Sequence, residues 1–177
     1  FSKKLNNKKK ISLCTLDSYN NSLPWTSALK DKKVLVVSPF ADSIFFQYTN
    51  NREKLFKNEQ VLPLFKAFHA YKSVQSIGGK CVDFISWIDA LNYMTEKIAN
   101  IDFDVAILGC GAYGMPLAAR IKKMGKKAVH VGGATQMLFG VKGKRWKGSP
   151  YINDYFITPS NSDTPVNFRD VEGGCYW

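Results

Sequence analysis

Residues 104–114 read Asp-Val-Ala-Ile-Leu-Gly-Cys-Gly-Ala-Tyr-Gly. The run Val105–Leu108 is continuous and apolar, the pattern of a strand buried on both faces of a parallel sheet. Gly109, Gly111 and Gly114 follow with GxGxxG spacing. In that context glycines allow a tight strand-to-helix turn, and N–H groups at the helix start face an anion. Close packing of a strand against a helix asks for the same glycines, so both explanations stand. Pro116 suits only a first helical turn. The helix is therefore expected to start near Gly114 and run to about Met124. Gly125 is its expected C-cap, with Lys122 and Lys123 in the last turn.

The same alternation extends in both directions. Downstream, Lys127–Val131 reads as a strand, and Gly132-Gly133-Ala134-Thr135-Gln136 turns into a short helix through Phe139. Upstream, Val34–Val37 is a short apolar strand ending at Ser38-Pro39. A helix over 41–57 follows, with Asp42 or Ser43 as cap candidate. Ala67–Val74 reads as a strand and Gly78-Gly79 as a turn. Apolar residues from Phe84 to Ile98 recur at helical spacing. Strand, helix, strand, helix predicts right-handed crossovers. The expected fold is α/β, a Rossmann-like three-layer sandwich of about four parallel strands. Pro150–Trp177, rich in Pro, Asn, Asp and aromatics, is expected to wrap the domain irregularly. Residues 1–23 read as a basic, flexible segment, and 24–177 as the domain, with Trp25 docked on it.

The chain has 177 residues and a formal charge of +11, from 25 basic and 14 acidic residues. Lys3, Lys4, Lys8, Lys9 and Lys10 crowd the start. Nine more basic residues, Arg120 to Lys147, lie between Asp104 and Asp154 with no acid among them. The remainder is slightly acidic. The charge therefore argues against a general nucleic-acid coat and for a local anion site. No apolar run approaches the ~18 residues of a membrane span. The first residues have no initiator Met and no signal-like apolar core, as at a boundary inside a longer protein. Cys14, Cys81, Cys110 and Cys175 are scattered without CxxC. They read as reduced thiols of a cytoplasmic protein rather than a zinc cluster.

Two glycine turns at successive strand ends would lie side by side at the carboxyl edge of the sheet, where open α/β folds bind ligands. The expected ligand-binding residues are Ser38, Pro39, Gly109, Gly111, Ala112, Tyr113, Gly114, Gly132, Gly133, Ala134, Thr135 and Gln136. Thr135 has capping as its simpler role. Lys142, Lys144, Arg145 and Trp146 form a basic loop that is either a diphosphate clamp or a solvated loop anchored by its Trp. Catalytic candidates are Asp42, Glu172 and His130, each with a plainer structural role available. For Asp42 that role is a helix cap; for His130 it is a hydrogen-bonded histidine. Cys110 reads as a small residue filling a tight turn. The acid that binds ribose in dinucleotide sites, ~20 residues past the glycines, is missing. An NAD(P) oxidoreductase is disfavoured accordingly.

The stretch from Asp104 to Trp146, together with Val34-Leu35-Val36-Val37-Ser38-Pro39-Phe40 and Val171-Glu172-Gly173-Gly174-Cys175-Tyr176-Trp177, resembles bacterial and viral proteins associated with surface-polysaccharide synthesis. These are distantly similar to GT-D type glycosyltransferases. The resemblance covers roughly residues 24–177. It implies a Rossmann-like domain, a nucleotide-diphosphate sugar as donor and a glycan as acceptor. That glycosyltransferase type carries an acidic metal-binding motif, and no such motif is evident here. Asp102-Phe103-Asp104 has the spacing but begins a strand, on the wrong edge. A divalent metal would require an acidic motif in a preceding part of a longer polypeptide. The alternative is a non-catalytic nucleotide-binding or interaction module of a larger enzyme.

Overall fold

The computed structural model describes residues 12–76 and 83–177. The basic start through residue 11, the Gly78-Gly79 turn and Cys81 lie outside the described residues. Four strands, β1 (Lys33–Ser38), β2 (Ala67–Lys72), β3 (Val105–Leu108) and β4 (Lys127–His130), form one sheet. Its order is β2-β1-β3-β4, and every neighbouring pair is parallel. Four helices, α1 (Ala41–Leu55), α2 (Trp87–Ala99), α3 (Gly114–Lys123) and α4 (Ala134–Leu138), follow the four strands in turn. The α/β sandwich read from the alternation is the observed fold.

Strand periodicity sorts the core into two layers. Val34 and Val36 of β1 face one side, with Ile44, Tyr48 and Leu55 of α1 and with Met137, Phe139 and Val141. Leu35 and Val37 face the other, with Leu91, Met94 and Ile98 of α2 and Leu117 and Ile121 of α3. All four β1 valine and leucine side chains are fully buried. Each such side chain contributes roughly 1.5–3 kcal/mol of burial free energy, which explains why β1 is apolar without alternation.

Element ends differ from expectation in instructive ways. Neither Asp42 nor Ser43 caps α1 with its own side chain. The cap comes from Asp163, whose carboxylate accepts the Ser43 N–H at 2.7 Å and the Asp42 N–H at 3.4 Å. Lys72 Nζ lies 3.1 Å from the same carboxylate, which is fully buried. β2 stops at Lys72 rather than Val74. α2 begins at Trp87, because Ser86 Oγ accepts the Asp89 N–H and fixes the start there. Helix α3 starts at Gly114 after a 3-10 turn over Gly111–Tyr113, as Pro116 requires. Gly125 adopts φ +79 beyond its end.

The C-terminal segment adds no strand. A bridge between Val141 and Ile157 and several 3-10 turns carry it across the domain. The packed body also reaches back past residue 24. Tyr19 stacks on Phe56 with ring centroids 6.2 Å apart, and the Trp25 indole donates to the Leu16 carbonyl at 3.0 Å. Among the described residues, no helix is long and apolar enough to cross a membrane.

Candidate functional site

The chain moves from β1 outward to β2, then returns to the other side of β1 to form β3. The carboxyl ends of β1 and β3 are therefore the topological switch point, where open α/β sheets leave a crevice. A cleft of about 430 Å³ opens there. Ser38, Pro39 and Phe40 line it from β1, and Gly109 to Tyr113 from β3. Its far walls are the end of β2, the entry to α4 and the C-terminal segment. The volume lies within the range of small-molecule sites.

The glycines have distinct reasons to be there. Gly111 adopts φ +56, a left-handed conformation that L side chains rarely accept. Gly109 is held by packing instead: a Cβ there would lie 2.5 Å from Thr135 Oγ1 and 2.8 Å from the Gly132 carbonyl oxygen. Gly114 has ordinary helical angles, but a Cβ would sit 2.2 Å from the His130 ring. The motif therefore serves turn geometry once and close strand–helix contact twice. Gly114 and Ala134 are not among the lining residues, whereas Gly132, Gly133, Thr135 and Gln136 are.

The inner wall carries uncharged polar side chains. Ser38 Oγ accepts the Phe40 N–H at 3.2 Å. Thr135 does not cap α4; its hydroxyl is buried without a partner. The Gln136 amide nitrogen donates to the Tyr176 carbonyl at 2.9 Å. Also on the lining, Tyr113 stacks on Trp87 with centroids 4.9 Å apart and planes 8° apart. The Tyr113 hydroxyl lies 2.6 Å from Ser76 Oγ.

The basic loop holds the C-terminal segment rather than lining the cleft. Lys142, Lys144, Arg145 and Trp146 are absent from the lining. The Lys142 N–H donates to Ile157, Lys144 to Trp177 and Arg145 to Cys175, all through backbone carbonyls. The Arg145 guanidinium donates to the Tyr176 hydroxyl at 2.7 Å and lies 3.5 Å from Glu172. Trp146 packs edge-on against Tyr176. Tyr176 thus stands between this loop and the cleft, with Arg145 one residue behind the wall.

The three catalytic candidates separate. Asp42 does not line the cleft. It pairs with Lys72 at 3.2 Å, and hydrogen bonding from Ser162, then from Lys72, holds its carboxyl below the usual range. A lowered pKa makes a weaker proton acceptor. Glu172 does line the cleft, at φ +46, and accepts the Tyr176 hydroxyl at 3.2 Å. It is the one Asp, Glu, Lys or Arg among the described lining residues. His130 also lines it, with Nδ1 3.0 Å from the Leu108 carbonyl oxygen, as a hydrogen-bonded histidine seated on Gly114. Burial pushes the Cys110 thiol up to about 12, the opposite of an activated nucleophile.

Sequence reading missed the β2 contribution, Ser73 to Ser76, and Trp87 at the start of α2. It missed Tyr176 and Trp177 as wall residues while expecting the C-terminus to dock. The strand pattern at 67–74 announced a strand end near these residues, and that was the one available signal. Among the described residues, no group of three His, Cys, Asp or Glu side chains could hold a metal ion. The chain matches no family model, no curated protein and no solved structure in the comparisons made.

Proposed function

We propose that the cleft binds a nucleotide-diphosphate sugar and that the domain acts as a glycosyltransferase in glycan synthesis. The observation that carries this is the cleft itself: a switch-point crevice bounded by a glycine turn leading directly into α3. The helix start offers partial positive charge to a diphosphate. Trp87, exposed and stacked on the buried Tyr113 ring, offers an aromatic face for a planar base.

In transfer, an acceptor hydroxyl oxygen forms a bond to the anomeric carbon as the bond from that carbon to the diphosphate oxygen breaks. The electron pair leaves with the nucleoside diphosphate, whose charge the α3 start stabilises. The hydroxyl proton passes to a carboxylate, and Glu172 is the one on the cleft wall. Arg145 and Tyr176 act as positioning residues that hold Glu172 in place.

A specific observation favours a second reading. The Glu172 carboxylate already receives the Tyr176 hydroxyl and faces Arg145 and the Cys175 thiol. A carboxylate so engaged suits a binding module without turnover. Scanning fluorimetry with UDP-, GDP- and dTDP-sugars, NAD and NADP separates the cases. Stabilisation by a nucleotide sugar together with release of nucleoside diphosphate supports transfer. Stabilisation without release supports the module. Stabilisation by NAD or NADP alone removes both.

A further inference from the structure

Three residues that line the cleft each carry an enclosed side-chain oxygen with no hydrogen-bond partner: Ser73 Oγ, Thr135 Oγ1 and Gln136 Oε1. Their residues are 5%, 1% and 2% exposed. Among the described residues one further atom of this kind exists, Ser18 Oγ, and Ser18 does not line the cleft. Unpartnered polar atoms are therefore concentrated at this wall. Burying a polar atom without a partner is costly, and a ligand in the cleft supplies the missing bonds once these side chains rotate toward it.

The chemistry of that ligand follows from Gln136. Its amide nitrogen is occupied by the Tyr176 carbonyl, so the oxygen is what remains. A carboxamide oxygen only accepts. It takes an O–H or N–H and repels phosphate. No Lys or Arg stands among the described lining residues to reverse that preference. The Gly111–Tyr113 turn that leads into α3 is the part of the cleft that favours an anion.

We propose that Ser73, Thr135 and Gln136 form a subsite for a neutral, hydroxyl- or N–H-bearing part of the ligand, with the phosphates at the Gly111 turn. This rests on the nucleotide-diphosphate-sugar reading and assigns the ends of that ligand. The donor group belongs either to the sugar or to the nucleoside.

Ser73→Ala and Thr135→Val each remove one unpaired hydroxyl from the full chain. Calorimetric titration with UDP-glucose, UDP and inorganic pyrophosphate, beside the apo melting temperature, provides the test. The apo proteins are expected to melt at or above the wild-type temperature. Affinity for UDP-glucose is expected to fall at least about fivefold in each, the scale of one lost hydrogen bond, with pyrophosphate binding unchanged. An equal fall for UDP places the donor on the nucleoside; a fall for UDP-glucose alone places it on the sugar. Unchanged UDP-glucose affinity with a lowered melting temperature overturns the subsite and makes the hydroxyls structural. An equal loss for pyrophosphate overturns it as well. Absence of binding to any nucleotide sugar by the wild type removes the function reading itself, whereas wild-type binding with unaltered variants removes the subsite alone.

Discussion

Gly114→Ala distinguishes a glycine kept for ligand approach from one kept for packing. Gly114 has φ −59 and ψ −50, so alanine meets no backbone strain. On helix propensity alone the change would stabilise by about 0.5–1 kcal/mol. The added Cβ, however, would lie 2.2 Å from His130 Cε1 and 2.3 Å from Nδ1. The ring cannot simply yield, because Nδ1 is hydrogen-bonded to the Leu108 carbonyl oxygen at 3.0 Å. Overpacking costs about 1–3 kcal/mol, and losing that hydrogen bond costs about 1 kcal/mol more. The net expectation is destabilisation by about 1–3 kcal/mol, with the sign opposite to propensity. For a domain of this length, that lowers the melting temperature by roughly 2–4 °C per kcal/mol. Urea denaturation of Gly114→Ala, His130→Ala and the double variant completes a cycle. The two substitutions are expected to couple by at least ~1 kcal/mol, because alanine at 130 removes the clash. A neutral or stabilising Gly114→Ala in the presence of His130 would refute the packing account of the third glycine.

Other outcomes follow from the same contacts. Asp163→Ala removes the cap of α1 and a partner of Lys72, and is expected to cost about 2–3 kcal/mol, since Lys72 stays half exposed; a urea midpoint within error of wild type would exclude Asp163 as the cap. Cys110 should resist alkylation in the folded protein at pH 8 while exposed Cys14 reacts. Its thiol lies at about 12 against an ordinary 9.0, so the unfolded chain ionises first, and stability present below pH 9 declines as pH rises towards 12; early labelling of Cys110 would contradict its burial. Arg145→Ala is expected to weaken nucleotide-sugar binding at least about fivefold, the scale of a charge-assisted hydrogen bond, by freeing Tyr176 and Glu172. Arg145→Lys should rescue little, because the geometry of the guanidinium contact to Tyr176 is what matters; full rescue would make the effect one of charge alone.

The fold was legible because its signals are local. Val34–Val37 and Val105–Leu108 are short apolar runs followed by turn residues, the pattern of buried strands, and Pro116 set the start of α3. The two glycine turns marked the sheet edge at which the cleft opens. What was illegible depends on contacts distant in sequence. Asp163 caps a helix about 120 residues away, and nothing near Asp42 or Ser43 announces it. The acid-free basic loop read equally as an anion clamp or a solvated loop anchored by Trp146, and in the structure Arg145 turns to Tyr176 and Glu172. Charge along the chain shows where cations are, not what satisfies them. Asp42 follows the end of β1 but pairs with Lys72 and does not line the cleft. Ser73 to Ser76 reach the cleft only because β2 pairs with β1, a fact of topology rather than composition.

The most direct test of the central claim is calorimetric titration of the wild type and of Ala112→Trp with UDP-, GDP- and dTDP-sugars. Ala112 is exposed on the cleft wall, so a bulky side chain there fills the crevice without entering the core. The account predicts saturable binding of one nucleotide sugar to the wild type and its loss in Ala112→Trp at an unchanged melting temperature. Equal binding by both proteins, or by neither, contradicts it.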